Sequence, residues 1–386
     1  LSPKIRFQTT AAYNYYYRIK NTFFRDLTTL SSELAQDQDS ARFDLWMFRG
    51  FISPKQDSLR WDYQLGIDLN HERGTGARLV DLEQFQGDYA GFGSLTYRFS
   101  PRFRTRLGLR YGYNTKYRAP VTPAFHVWAR LSESLVLRAS TARGFRAPSL
   151  KELHFFFVDI NHNIQGNPDL KAEYSNHYQL SLELRKLSGE HFLKARADAF
   201  YNQMQNLISL VQVDAATGLF SYQNVARFQS VGGGGEVNWK YRTLQVGLGA
   251  RYTGRYNQLS EDFSEAATFS FAPEASLQVQ WKESNSGILF AGFYKYTGAL
   301  PGLALDDTEL VQTEIAAYHT ADLSLSRGFW KDRITFRAGA KNLLNVTQIN
   351  STAVGSGGVH TPVGGQLPVA WGRTWFAQLR FNFSNP

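Results

Sequence analysis

Apolar and polar residues alternate along this chain in long segments, and this alternation constrains the fold more than any other feature. In one segment Leu107, Leu109 and Tyr111 alternate with Gly108 and Arg110. Successive side chains of a β-strand point to opposite faces, so such a segment gives a strand with one apolar and one polar face. The same pattern recurs at residues 61–70, 180–185, 237–242, 277–282 and 334–341. The sequence therefore predicts an all-β fold.

The lengths of these segments distinguish a membrane barrel from a soluble sandwich. Many of them reach or exceed the roughly 9–11 residues with which a tilted strand crosses a bilayer. We predict about sixteen strands, at residues 5–19, 41–53, 58–71, 88–99, 103–113, 122–131, 134–145, 175–185, 191–211, 220–241, 244–256, 270–282, 286–297, 317–327, 333–342 and 371–383. The predicted fold class is thus a large antiparallel transmembrane β-barrel.

The connections between the predicted strands support this fold class. They mostly alternate between short ones, such as 100–102 and 242–243, and long ones, such as 72–87 and 146–174. Outer-membrane barrels have short periplasmic turns and longer external loops, whereas a soluble sandwich has no reason for this asymmetry. We therefore expect 146–174, 297–316 and 343–370 to lie outside the cell. The turns near Thr243 and Lys331 are expected in the periplasm.

The alternation also predicts which side chains face lipid. We expect Leu65, Leu109, Leu182 and Trp239 to face outward. Their sequence neighbours Gln64, Arg110, Glu183 and Lys240 are expected to face the lumen or whatever fills it.

Composition narrows the class of function. The 386 residues include no cysteine, which excludes disulfides and thiolate chemistry, and the chain carries a formal net charge of +9. The basic residues are scattered at alternate strand positions and no nucleic-acid-binding module is present, so no nucleic-acid partner is expected. The chain holds no Gly-x-Ser-x-Gly, His-Glu-x-x-His or Walker motif, so we do not expect an enzyme.

Four short stretches carry a resemblance to a known family. They are Phe-Arg-Ala-Pro at 145–148, Asn-Pro-Asp-Leu at 167–170, Tyr-Gln-Asn-Val at 222–225 and Ala-Lys-Asn-Leu-Leu-Asn at 340–345. In this order they resemble the barrel motifs of TonB-dependent outer-membrane receptors. The aromatic residue near the C-terminus, Phe383, resembles the last strand of such barrels, although Ser-Asn-Pro follows it.

The resemblance implies a location, a size and a set of partners. The family's barrel has about 22 strands around an N-terminal plug, so residues 1–386 would be the C-terminal part of a barrel, with about six strands and the plug upstream. The implied location is the outer membrane of a Gram-negative bacterium. The implied partners are the TonB energising complex, the protein's own plug, membrane lipid and lipopolysaccharide, a possible surface lipoprotein and a small metal chelate as cargo.

The two boxes at 145–148 and 167–170 have a structural interpretation that we prefer to ligand contact. Pro148 fixes φ and removes a hydrogen-bond donor, which ends a strand cleanly. Pro168 after Asn167 is typical of a turn. Arg146 and Glu173 are expected to pair at the rim of the barrel.

Three of the eight histidines, His154, His162 and His177, lie in or beside the segment that joins the boxes. Haem receptors of the family resemble this arrangement, and imidazole is an axial ligand of haem iron. We hypothesise that His154 or His162 binds haem iron, with haem as transported cargo and not as a cofactor. The alternative is that these histidines are ordinary polar loop residues.

A haem site also needs an apolar wall and cations for the propionates. Phe155, Phe156 and Phe157 are candidates for the wall, although an aromatic girdle or loop core explains them equally well. The candidate cations are Arg143, Arg146 and Lys151. The resemblance thus implies energised uptake of a scarce metal chelate, and the histidines place haem ahead of a ferric siderophore or cobalamin as the expected cargo. The rival is a passive porin, since sixteen strands also enclose an aqueous channel.

Overall fold

A computed structural model describes residues 5–35, 38–55, 60–159, 162–214, 216–257, 267–306, 309–352 and 365–383. Sixteen long strands dominate it. They are β1 (Ile5–Lys20), β4 (Asp39–Pro54), β5 (Trp61–Gly76), β6 (Glu83–Ser100), β7 (Phe103–Asn114), β8 (Thr122–Arg130), β9 (Leu135–Arg146), β12 (Glu173–Ser188), β13 (His191–Asp214), β14 (Leu219–Tyr241), β15 (Leu244–Tyr256), β16 (Phe269–Lys282), β17 (Leu289–Thr297), β20 (Tyr318–Phe329), β21 (Ile334–Lys341) and β24 (Thr374–Phe381).

Each long strand pairs antiparallel with the next long strand along the chain, from β1 to β24. This is the meander of a β-barrel, and it confirms the all-β fold class. All sixteen predicted strands correspond to a long strand of the structure. The prediction of a long loop at 72–87 is wrong, because β5 continues to Gly76 and β6 begins at Glu83.

The long connections contain further short elements. These are β2 (Phe23–Arg25), β3 (Ser32–Leu34), α1 (Leu150–His154), β10 (Phe156–Asp159), β11 (His162–Gln165), β18 (Leu300–Asp306), β19 (Glu309–Ile315), β22 (Gln348–Ser351) and β23 (Gly365–Pro368). In the described ranges α1 is the one helix, and no helix is long and apolar enough to cross a membrane.

The two faces of the sheet differ in chemistry. Leu65 and Leu109 leave 53% and 58% of their surface exposed on the apolar face, as a lipid-facing position requires. On the polar face Arg110 donates to Asp68 at 2.8 Å and to Asp88 at 3.0 Å, so one guanidinium joins three neighbouring strands. The alternation of the sequence therefore sorts the side chains as predicted.

Candidate ligand-binding mouth of the barrel

The most deeply buried part of the described chain lies at the end of the first box and directly after it, at one end of the strands. Pro148 and Leu150 are its largest fully buried side chains, and Leu153 is 2% exposed. Pro148 ends the run of β9, and its carbonyl accepts a hydrogen bond from Nε2 of Gln86 on β6 at 3.0 Å. The first box thus fixes where the chain leaves the barrel wall.

The short helix α1 begins with a capping box. Glu152 N donates to the hydroxyl of Ser149 at 3.3 Å, and Ser149 N donates to the Glu152 carboxylate at 2.7 Å. Together these bonds satisfy amides that a helix start leaves without partners. The Ser-x-x-Glu spacing was visible in the sequence, which makes α1 the element that the sequence interpretation missed despite a signal.

Arg146 joins the two boxes. Its guanidinium donates two hydrogen bonds of 2.6 Å to Glu173 and further bonds of 2.8 and 3.1 Å to Glu152. The Glu173 carboxylate is 7% exposed and the Glu152 carboxylate 15%. Burial opposes ionisation of Glu152, but hydrogen bonds from Arg146 and Ser149 outweigh it and lower the pKa of that carboxyl. The predicted Arg146–Glu173 pair is confirmed.

The second box is held by the motif at 222–225. The amide of Asn224 accepts from Lys171 N at 2.8 Å and donates to the Lys171 carbonyl at 3.0 Å, as a strand partner would. The same amide donates to the carbonyl of Asn206, a residue with a positive φ of 57°. Asn167 Nδ2 donates to the Tyr222 carbonyl at 2.9 Å. This motif therefore serves to position the second box.

The described residues between β9 and β12, 147–159 and 162–172, are here called the crosspiece, and they reach loops on both sides along the rim. On one side Val80 N donates to the His154 carbonyl at 3.0 Å, and Phe156 N donates to the Arg78 carbonyl at 2.8 Å. On the other side Ile164 of β11 pairs in parallel with Phe220 of β14. The crosspiece thus connects the β5–β6 loop to the β13–β14 hairpin.

His154 lies at the end of α1 and contacts a cation. Its Nε2 lies 2.7 Å from Nζ of Lys116, a residue of the β7–β8 loop. Burial lowers the pKa of His154, the charge of Lys116 lowers it further and Asp81 opposes the effect. The neutral imidazole accepts a hydrogen bond from the Lys116 ammonium in this geometry, so the nitrogen proposed as an iron ligand already has a partner.

His162 is part of an aromatic stack. Its ring lies 4.5 Å from the ring of Phe157 at an interplanar angle of 19°. The guanidinium of Arg78 lies 4.1 Å from the centre of the same Phe157 ring, and that of Arg18 lies 5.6 Å from it. Arg78 is 3% exposed and pairs with Asp39 at 2.8 Å. The stack joins the crosspiece to the end of β1 and to the β5–β6 loop.

The remaining candidates divide between the crosspiece and the barrel wall. Phe155 lies 5.7 Å from Phe157, Lys151 lies 5.2 Å from the Phe155 ring centre, and Phe156 is 45% exposed. The structure therefore places His154, His162, the three phenylalanines and Lys151 in the crosspiece, and Arg146 at the end of β9, directly before it.

His177 and Arg143 lie apart from that segment, on barrel strands. His177 is on β12, paired with Asn202 of β13 through a side-chain hydrogen bond. It lines a lumenal cavity of about 650 Å³ together with Arg196, Asp198 and Arg251. Arg143 is three positions from Arg146 on β9, and so on the opposite face, where its guanidinium lies 5.8 Å from the Tyr174 ring centre.

Sequence reasoning missed Lys116 and Arg78, which hold the crosspiece from neighbouring loops. No local pattern marks either residue, because their partners are 38 and 79 positions away along the chain. Within the described ranges no group of three or more His, Asp or Glu side chains is arranged to hold a metal ion.

A family model for the β-barrel of TonB-dependent receptor-like proteins matches residues 3–343. The match covers most of the chain, so this chain belongs to that family and is a protein of the Gram-negative outer membrane. Membership also argues against the passive porin.

The individual proteins that the chain resembles share little of its sequence. The chain is 33% identical over 130 residues to an iron-regulated outer membrane virulence protein of Vibrio cholerae, an alignment that covers 33% of this chain and 19% of the relative. The structure resembles the siderophore receptor PirA of Acinetobacter baumannii with a TM-score of 0.71 at 14% identity, covering 98% of this chain and 60% of PirA. It resembles a mutant of the ferric enterobactin receptor PfeA of Pseudomonas aeruginosa with a TM-score of 0.68 at 15% identity, covering 96% of this chain and 59% of PfeA. The chain thus spans about three fifths of these receptors, and the likeness at this identity concerns the fold.

Proposed function

We propose that this chain forms the barrel of a receptor that takes up a small iron chelate with energy supplied through TonB. The observation that carries the proposal is the crosspiece, whose described residues present cations and aromatic rings at one end of a barrel of this family. A receptor needs such a surface to bind a chelate before transport, whereas a passive channel has no use for it. The protein's own plug and the TonB complex are partners in this proposal, as is lipopolysaccharide around the barrel; a surface lipoprotein remains a prediction from the resemblance.

Within this class, the geometry favours a ferric siderophore over haem as the cargo. Haem needs an axial nitrogen, and Nε2 of His154 is 2.7 Å from the Lys116 ammonium. Binding iron through this atom would first require that contact to break. An anionic ferric siderophore needs only cations and aromatic rings, which Lys151, Phe155 and Phe156 supply on the crosspiece. Haem bound through His162 is the second candidate, because the His162–Phe157 stack offers a flat apolar surface.

Uptake of radiolabelled iron by cells tests the function. Iron-starved cells that carry the complete gene are compared with a deletion strain, with each of ferric enterobactin, haem and a ferric hydroxamate as the sole iron source. We expect the complete gene to restore uptake of one chelate and a protonophore to abolish that uptake. Restoration that persists without a proton gradient would contradict energised transport and favour a channel.

Titration of the purified complete receptor separates the two cargoes. The His154→Ala, His162→Ala double variant is expected to bind a ferric siderophore within about twofold of wild type and a haem ligand at least about tenfold more weakly. His177→Ala, which removes a histidine outside the crosspiece, is the matched control. If wild type and the His177→Ala variant bind haem tightly and the double variant does not, haem becomes the favoured cargo and the ferric siderophore the second candidate.

A further inference from the structure

The motif at 340–345 folds into a tight bend directly after β21, and the proposed function does not use it. Asn342 and Asn345 have positive φ values of 50° and 56°, a conformation that asparagine adopts more readily than most residues. The side chain of Asn342 closes the bend. Its Nδ2 donates to the carbonyls of Val346 and Trp371, each at 2.9 Å, and its Oδ1 accepts from Val346 N at 3.0 Å. The motif therefore fixes the chain that enters β24.

The same bend positions an arginine. Asn345 Oδ1 accepts a hydrogen bond from Arg373 N at 2.9 Å. The Arg373 guanidinium donates to the Leu343 carbonyl through Nε at 3.0 Å and through Nη2 at 2.8 Å. This carbonyl is neutral, and no carboxylate of the described residues pairs with Arg373. The guanidinium is thus oriented, keeps its charge and has further N–H groups to donate.

An apolar groove of about 930 Å³ begins beside this cation. Its floor contains small residues, Ala338 and Ala340 of β21 and Ala377 of β24. Ala338 pairs with Ala377 on one side and with Leu325 of β20 on the other, and Leu325 is half-exposed on the apolar face. Residues opposite each other in adjacent strands share a face of the sheet, so the groove opens toward lipid. Leu343, whose carbonyl accepts from the guanidinium, also lines it.

The groove meets the cation at the long-loop end of the barrel. β21 ends at Lys341 and β24 begins at Thr374, and outer-membrane barrels place such long connections outside the cell. Trp371 and Trp375, two positions before and after Arg373, leave 91% and 73% of their surface exposed. Tryptophan is enriched where the hydrocarbon of a bilayer meets the headgroups. This order of groups along the barrel fits a molecule with an acyl chain below and an anionic group above.

We propose that the groove and Arg373 form a binding site for a phosphorylated lipid of the outer leaflet. The phosphate accepts hydrogen bonds from the N–H groups of Arg373 that Leu343 does not use, since guanidinium is suited to phosphate. One acyl chain lies over Ala338 and Ala377. The site differs from general contact between lipid and barrel, because the bend at 340–345 orients the cation before a lipid arrives. The inference needs the outer-membrane location and is independent of the cargo.

Native mass spectrometry of the complete receptor in detergent tests the site, with bisphosphorylated lipid A as the probe. We expect wild type to retain lipid A and Arg373→Gln to bind it at least about fivefold more weakly, since the substitution removes hydrogen bonds to a charged group. The Ala338→Leu, Ala377→Leu double variant fills the groove and should weaken binding by a similar factor. Lipid A without its phosphates should bind wild type and Arg373→Gln equally.

Two controls match these variants. Arg242→Gln makes the same charge change at a short turn, at the opposite end of the barrel. The Ala250→Leu, Ala275→Leu double variant enlarges another pair of exposed alanines that lie opposite each other, on β15 and β16. Both controls should bind lipid A as wild type does. Each protein is first shown to migrate as a folded barrel on an unheated gel.

The outcomes decide between a site and unspecific contact. Equal lipid A affinity in wild type, Arg373→Gln and the groove variant would overturn the proposal, and so would a loss in only one of the two variants, because the site needs both headgroup and chain. Inorganic phosphate that binds wild type but not Arg373→Gln, while lipid A binds both equally, would show a site for a free anion and refute the lipid. A failure of wild-type cells to take up any iron chelate would count against the proposed function and leave this site standing.

Discussion

The Arg146→Met substitution is expected to free the crosspiece from the barrel. It leaves the Glu173 and Glu152 carboxylates, which are 7% and 15% exposed, without their shared cation. Removing one partner of a buried ion pair costs about 3–5 kcal/mol. Arg146 exposes 45% of its side chain, so solvent screens part of the interaction and we expect a loss of about 2–3 kcal/mol. Because about 1.4 kcal/mol corresponds to a factor of ten, the crosspiece should open about 30- to 150-fold more often.

Hydrogen–deuterium exchange of peptides from 147–172 in the complete receptor measures this opening. The double variant Arg146→Met, Glu173→Gln should recover part of the protection, because it removes a buried charge and keeps an oxygen for Ile208 N, which donates to Glu173 at 2.8 Å. Arg242→Met, at an exposed pair with Glu190, is the control and should leave exchange unchanged. Exchange in the Arg146→Met variant within twofold of wild type would refute the reasoning, as would a double variant that is worse than either single change.

Three further changes test the same region. Asn224→Ala removes the side-chain amide that hydrogen-bonds to the backbone N–H and carbonyl of Lys171, and should speed hydrogen–deuterium exchange at the second box. Asn163→Ala, which loses one exposed hydrogen bond, is the comparison. Gly166→Ala places a Cβ 2.7 Å from the backbone nitrogen of His154 and from the carbonyl group of Leu153, and should destabilise the crosspiece by about 1–3 kcal/mol in thermal unfolding. Gly91→Ala, with open space around its Cβ, should leave thermal unfolding unchanged. The lowered folded-state pKa of His154 means that its contribution to stability is complete above about pH 6.5 and is lost as the pH falls below it. Protection at 150–166, taken as exchange relative to the intrinsic amide rate at each pH, should therefore fall between about pH 7.5 and 5.5 in wild type and stay constant in His154→Gln; an equal loss of protection in both would exclude this histidine.

The barrel strands could be predicted from the sequence because their pattern is local. An alternation such as Leu107 to Arg110 reports directly on the two environments of a spanning strand, lipid and lumen. The error lies at the ends of β5 and β6 that face each other across the 77–82 connection. Residues 72–76 and 83–87 are strand in the structure, but they are mostly polar or glycine and do not carry the apolar alternation that marks the rest of β5 and β6.

The mouth of the barrel could be predicted only in part. The Arg146–Glu173 pair followed from two boxes of opposite charge, and Ser149 with Glu152 gave a helix signal that was available. The contacts of Lys116 with His154 and of Arg78 with Phe157 could not be inferred, because they depend on the tertiary packing of separate loops. Arg143 and Arg146 are three positions apart, so on a regular strand their side chains point to opposite faces. The sequence alone could not show that both residues belong to one strand, β9.

The most direct test of the account is the orientation of three consecutive residues of β7. The sequence has no cysteine, so Leu107→Cys, Gly108→Cys and Leu109→Cys can each carry a single nitroxide label. Leu107 and Leu109 lie on the apolar face, and the Cβ built on Gly108 has room beside Ala124 at 3.6 Å. In receptor reconstituted into lipid, the labels at 107 and 109 should collide more often with dissolved oxygen than the label at 108, because oxygen concentrates in the bilayer. Equal oxygen accessibility at all three positions, or a maximum at 108, would contradict the assignment of lipid and lumen faces on which the site and both proposals depend.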